Sequence, residues 1–144
     1  MNVESILRAK GSRVATVPPQ ASIAVAVATL QREQVGALVV SRDGGSVDGI
    51  LSERDIVHGL AGMGSGLLET KVEQLMTRRV FTCTPRDNIA DLAAEMTQRR
   101  IRHIPVLRDG VLAGIVSIGD VVKARLDEME YETNSLRSFI AGAS

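Results

Sequence analysis

The chain has 144 residues, 44% hydrophobic and 24% charged, which marks it as globular: one ordinary domain, or two small repeats sharing one core. Its 17 basic residues balance 17 acidic ones, so the basic excess of a non-specific nucleic-acid binder is absent. No apolar run is long enough to span a bilayer, and the lone Cys83 rules out an internal disulfide framework or a cysteine-rich zinc site.

At the start, Glu4 and Arg8 flank a brief Ile6-Leu7 pair without the apolar stretch of a secretory signal, so a reducing, cytoplasmic setting is expected. A β-rich run over residues 14–17 ends at a proline turn, and Ser22 stands where an N-cap opens a helix. Ile23, Val27 and Leu30 form the apolar stripe of that helix. Two strands follow over residues 37–41 and 47–51, joined by a hairpin turn containing Asp43-Gly44. A second, short helix begins after Ser52, with His58 near its end as a capping or surface residue. The glycine-rich stretch 59–66 follows a helix and not a strand, so it reads as a linker instead of a phosphate-binding loop.

The same order then recurs. Val14-Ala-Thr16 lies over Val80-Phe-Thr82, Pro19 over Pro85, and Ile23-Ala24 over Ile89-Ala90. Arg42-Asp-Gly44 lies over Arg108-Asp-Gly110, and after a one-residue gap Gly49-Ile50 lies over Gly114-Ile115, Ser52 over Ser117 and Asp55 over Asp120. The chain is a tandem duplication of a β-α-β-β-α unit. In the second copy the strands are expected over residues 80–83, 104–107 and 111–116, and Asn88 opens a helix striped by Ile89, Leu92, Ala93 and Met96. Beyond it, Val122, Leu126, Met129, Thr133, Leu136 and Ile140 step alternately by four and three residues, a heptad-like seam on a helix continuing past the repeat. That seam is expected to meet its symmetry mate in a homodimer.

Ser52-x-x-Asp55 and Ser117-x-x-Asp120 are capping boxes, which stabilise a helix start with no ligand at all. The same geometry also suits a ligand, because a helix N-terminus leaves N–H groups for an anion and a carboxylate one turn in accepts both hydroxyls of a ribose. A guanidinium such as that of Arg102 offers a fork of donors to phosphate, whereas Arg99 and Arg100 read as a solvated helix end. With no Trp, 1 Tyr and 2 Phe, a ligand sandwiched between aromatic rings is not expected. Two distant histidines and one cysteine give no metal site, and Cys83 is most simply a small strand residue. No nucleophile–base pair or cofactor fingerprint appears, and a hydrolase built on Asp120 and His103 ranks far below binding.

The two Gly-Ile-x-Ser-x-x-Asp motifs in register resemble a pair of cystathionine β-synthase (CBS) domains, a Bateman module, in the stand-alone form found in bacteria. The resemblance spans roughly residues 5–126. It implies an α+β fold of two β-α-β-β-α repeats about a pseudo-twofold axis with a C-terminal helical extension. The repeats are placed at residues 5–62 and 71–126, the glycine-rich linker at 63–70, and the helix and tail at 127–144. The implied function is non-enzymatic: binding of an adenosine ligand of the AMP, ADP, ATP or NAD class in the cleft, to sense energy or redox state. The alternatives are a ligand-independent interaction scaffold and, more remotely, a nucleic-acid binder; no membrane or required cofactor is implied, and the regulated partner is unknown. Carried onto this chain, Asp55 and Asp120 hold ribose, and Ser52, Ser117, Arg102 and His103 face phosphate. Lys10, Thr16, Thr77, Thr82, Ile104 and Pro105 are further candidates to line the ligand. Because Gly36 and Ala37 occupy the places of Arg102 and His103 in the first copy, the Asp120 side is expected to be the stronger phosphate site.

Overall fold

A computed structural model describes residues 1–143. Helix α1 (Val3–Lys10) precedes the first repeat, which comprises β1 (Thr16–Val17), α2 (Ile23–Glu33), β2 (Ala37–Val40), β3 (Gly49–Ser52) and α3 (Glu53–Met63). A 3₁₀ turn (Gly64–Glu69) and the short α4 (Val72–Leu75) lead to the second repeat, with α5 (Ile89–Arg99), β4 (His103–Arg108), β5 (Val111–Ser117) and α6 (Ile118–Ala143). The fold is α+β, two β-α-β-β-α-like repeats with a C-terminal helical extension.

Local chemistry explains the repeated helices. Ser22 Oγ accepts from the Val25 N–H at 3.2 Å, and Asn88 Oδ1 accepts from Ala90 and Asp91, so each helix opens on a side-chain cap. Both close on a residue in the left-handed region, Gln34 (φ 54°) and Arg100 (φ 56°). The buried stripe of α2 is Ile23, Ala26 and Leu30, in register with Ile89, Leu92 and Met96 of α5. Val27, expected on that stripe, instead faces outward, because the helical period puts Ala26 over the sheet.

In the first repeat β1 runs parallel to β2, and β2 antiparallel to β3 with Leu38 opposite Leu51. The second repeat keeps the antiparallel pair β4–β5, but its opening strand, expected over residues 80–83, shrinks to a single parallel bridge between Cys83 and Val106. The Asp109-Gly110 turn is the tight hairpin expected, with both residues at positive φ (52° and 79°). Asp43-Gly44 is not its equal. There Asp43 Oδ1 accepts from the N–H groups of Gly45 (2.9 Å) and Ser46 (2.8 Å), winding residues 41–48 into a longer loop and delaying the second strand to Gly49. Those bonds hold the Asp43 carboxyl at about 2. A depressed carboxylate stabilises the fold fully above its ordinary value of 3.8 and loses that contribution as pH falls towards 2. Asp43→Asn is therefore expected to flatten the acid limb of a melting-temperature profile taken from about pH 5 to about pH 2.

Each repeat owns a core, and each core is completed by the segment that precedes the other repeat. Val3, Ile6 and Leu7 of α1 are buried with Ile89, Met96, Ile104 and Val116 of the second repeat. Leu67 and Val72 are buried with Ile23, Leu38 and Leu51 of the first. Gly59 shows why the glycine-rich stretch is not simply a linker: α3 continues through it to Met63, and a Cβ there would sit 2.9 Å from Leu67 Cδ1. His58 is accordingly an exposed mid-helix residue and not a terminal one. Helix α6 buries Val121 and Ala124, while Val122, Leu126, Met129, Leu136 and Ile140 of the seam are each at least half exposed. No helix among the described residues is long and apolar enough to cross a membrane. Of the expected helix and tail, Ser144 lies outside the described residues.

Candidate functional site

Both Ser-x-x-Asp motifs form their capping boxes. Ser52 donates its N–H (2.9 Å) and its hydroxyl (3.1 Å) to Asp55 Oδ2, and Ser52 Oγ accepts from the Asp55 N–H at 3.2 Å. Ser117 and Asp120 repeat the pattern at 2.9 and 3.1 Å. In both, the bonds fall on Oδ2, and Oδ1 accepts from no donor among the described residues.

The two carboxylates differ in what else they meet. Lys10 Nζ lies 2.7 Å from Asp120 Oδ2, although 110 positions separate the two in the chain. Burial pushes the Asp120 carboxyl up, but the Lys10 ammonium and the Ser117 N–H outweigh it and hold it below the ordinary carboxylate range. Asp55 has no ion pair among the described residues. Lys10→Met is expected to move the Asp120 titration to higher pH, because burial then acts with less opposition; carbon-13 NMR of the carboxyl carbon reads the shift. The sign for stability follows: the contribution of Asp120 is present above the ordinary carboxylate value and lost as pH falls, and the variant loses it sooner.

Asp55 and Ser52 open onto a cavity of about 280 Å³. Its apolar wall is Ile50, Val80, Phe81 and Ile101, and Thr77 borders it from the segment before the second repeat. Thr77 is held there by reciprocal backbone bonds with Ile50, N–H to carbonyl at 2.9 and 3.0 Å. The cationic wall is Arg54, Arg79, Arg100 and Arg102, with His103 beside them. Arg99, by contrast, pairs with Glu95 at 2.7 Å and lies over the Phe81 ring, 4.4 Å from its centroid.

Sequence reasoning assigned Arg102 and His103 to the Asp120 side; the structure puts them in the cavity with Asp55. Their backbone is beside Ser117 and Ile118, as expected, but Gly36 has no side chain to keep them out of the first repeat. A Cβ on Gly36 would lie only 3.3 Å from His103 Cε1. The glycine that seemed to weaken the first motif is what admits the histidine. Burial lowers the His103 imidazole below its ordinary value, Lys10 and Arg102 lower it further, and Glu53 and Asp120 oppose them. Arg100, read as a solvated helix end, also lines the cavity.

Of the other candidates, Lys10 and Ser117 stand at the Asp120 carboxylate and not in this cavity. Thr16 pairs with Val39 in β1, Thr82 is half-buried beside Cys83, and Ile104 and Pro105 are buried in β4 opposite Val116 and Ile115. None of these four lines the cavity. Arg54, Arg79 and Phe81 are among the cavity residues that sequence reasoning missed. Arg54 lay inside the Ser-x-x-Asp motif, a signal that was available; the others needed the chain to fold. Cys83 is buried, and burial, aided by Asp87, pushes its thiol up to about 12, so it is not a thiolate at neutral pH. No cluster of three or more His, Cys, Asp or Glu able to hold a metal ion occurs among the described residues.

Comparison with known proteins agrees with the repeat. The CBS domain family matches residues 4–62 and 72–127. The chain is 39% identical over 121 residues to the CBS domain-containing protein CBSX3, mitochondrial, of Arabidopsis thaliana; the match covers 81% of this chain but 59% of that protein. Among solved structures it is similar to the CBS-domain protein ATU1752 of Agrobacterium tumefaciens, with 45% identity and a TM-score of 0.84 over 87% of this chain and 99% of that one. It is also similar to the CBS protein PAE2072 of Pyrobaculum aerophilum, solved in complex with AMP, at 26% identity and TM-score 0.73, covering 83% and 89% of the two chains. The CBS pair of protein MJ0100, solved with 5-methylthioadenosine and S-adenosyl-L-methionine, matches at 25% identity and TM-score 0.78 over 89% and 98%.

Proposed function

This chain belongs to the CBS domain family, as a tandem pair, and from that premise we propose that it binds an adenosine ligand in the Asp55 cavity and transmits its occupancy to a partner. CBS domains are non-catalytic regulatory modules, so the chain is a regulator and not an enzyme. The observation that carries the ligand reading is the Asp55 carboxylate: one oxygen closes the helix cap, the other accepts from no donor among the described residues, and the residue lines a cavity with an apolar wall and a basic one. A ribose diol donates to the free oxygen, the base lies against Ile50, Val80 and Ile101, and the phosphate meets Ser52, Arg102 and the Arg54 N–H, since the Glu53 and Asp55 N–H groups already donate to Gly36 and Ser52. At Asp120 the same carboxylate chemistry faces Lys10, so the two repeats offer unequal sites.

The cavity is built from both repeats, so a ligand in it has different contacts when the repeats shift, and that difference is what biases a partner's equilibrium. The exposed seam of α6 supports a homodimer as the assembly through which the shift is relayed. The test is a thermal-shift panel with AMP, ADP, ATP, NAD, NADH, S-adenosylmethionine and GMP. At a hundredfold excess over Kd, an adenosine ligand adds about 2.7 kcal/mol of stability to the state it binds. A rise with adenosine ligands and none with GMP supports the reading. No rise with any leaves the capping boxes as helix starts and the chain as an interaction scaffold.

A further inference from the structure

Seven arginines elsewhere in the molecule are paired with carboxylates. The four that line the Asp55 cavity have no carboxylate partner among the described residues. They arrive from three separate segments: Arg54 from the first turn of α3, Arg79 from the stretch before the second repeat, and Arg100 and Arg102 from the turn between α5 and β4. The negative groups lining the same space are Glu53 and Asp55, and Asp55 Oδ2 already serves the helix cap. On a chain of zero net charge, four guanidiniums against two carboxylates leave a local excess of positive charge. Like charges gathered at one cavity repel, and the repulsion is relieved when a polyanion enters.

One terminal phosphate has three oxygens and about two negative charges, fewer than four five-donor guanidiniums can engage. A second phosphate supplies further acceptor oxygens. Resting on the adenosine reading above, we propose that the Asp55 cavity selects an adenosine ligand carrying a phosphoanhydride, with Arg79 and Arg100 serving the phosphate beyond the first. The shared chemistry is the pyrophosphate group, either free-ended as in ADP and ATP or bridging as in a dinucleotide. A monophosphate fills the site incompletely, and a cationic sulfonium nucleoside meets four like charges.

Isothermal titration of the full chain with AMP, ADP, ATP, NAD and S-adenosylmethionine, and with inorganic pyrophosphate alone, tests this. ADP is expected to bind at least about tenfold tighter than AMP, and S-adenosylmethionine weaker than either. The ADP-to-AMP preference is expected to fall to within about threefold in an Arg79→Gln/Arg100→Gln variant, and to narrow as salt is raised. Gln is already the residue at the left-handed cap of α2, and an unchanged ligand-free melting temperature shows that the variant folds. Equal affinity for AMP and ADP, or a preference that survives the double substitution, overturns the proposal while leaving the adenosine reading intact. Pyrophosphate binding without a response to any adenosine ligand overturns the functional reading and keeps the anhydride site. Comparing ATP with NAD then decides between a free and a bridging pyrophosphate.

Discussion

Asp55→Ala is expected to weaken binding of AMP or ADP by about a hundredfold, whereas Asp120→Ala changes it by less than about threefold. The larger number is the low end of what two hydrogen bonds to a carboxylate supply, about 1.5 kcal/mol each and about 3 kcal/mol together. The smaller follows from Lys10, which already lies 2.7 Å from Asp120, and from neither residue lining the Asp55 cavity. Asp55 also receives the Ser52 N–H, so its loss weakens the start of α3 by about 0.5–2 kcal/mol and lowers the melting temperature of the free protein. Asp55→Asn separates the two effects: its amide oxygen still accepts from Ser52, but the negative charge that a diol needs is gone. Titration calorimetry beside ligand-free melts gives both quantities. Wild-type affinity in the Asp55→Ala protein would mean that the carboxylate caps the helix and does nothing else.

The second large effect concerns α1. Leu7→Ala is expected to destabilise the protein by about 2–4 kcal/mol, read from guanidinium unfolding, although the residue precedes the first repeat. Leu7 is buried in the core of the second repeat, where its Cδ2 would lie 2.6 Å from a Cβ placed on Gly114. Gly114→Ala is therefore expected to overpack the same contact, at about 1–3 kcal/mol. Combining the two opens room for the added methyl, so the double variant should be more stable than the sum of the single effects predicts, by about 1 kcal/mol. Strict additivity would mean that Leu7 and Gly114 do not share this space.

The duplication and its four helix starts were legible because capping is local. Ser22, Asn88, Ser52 and Ser117 each satisfy N–H groups within three residues, so the chemistry is complete in a short stretch of chain. The Asp43-Gly44 loop misled because its sequence carries a hairpin signal while the Asp43 side chain captures two N–H groups and winds a longer turn. Gly59 misled similarly, since a glycine demanded by Leu67 inside a helix looks, in sequence, like a glycine of a linker.

The composition, the repeat and the paired Ser-x-x-Asp motifs were determined by the sequence alone, because identity at matching positions and hydrogen bonds between near neighbours need no knowledge of the rest of the chain. Which carboxylate meets Lys10, and which lines a cavity with four arginines, was decided by the tertiary structure. Lys10 reaches Asp120, and Arg79, Arg100, Arg102 and His103 reach the Asp55 side, only because each repeat's leading segment packs on the other repeat and Gly36 leaves room between them. Those meetings join residues far apart in the chain through the packing of two cores, and charges brought together in that way leave no periodicity or spacing to read.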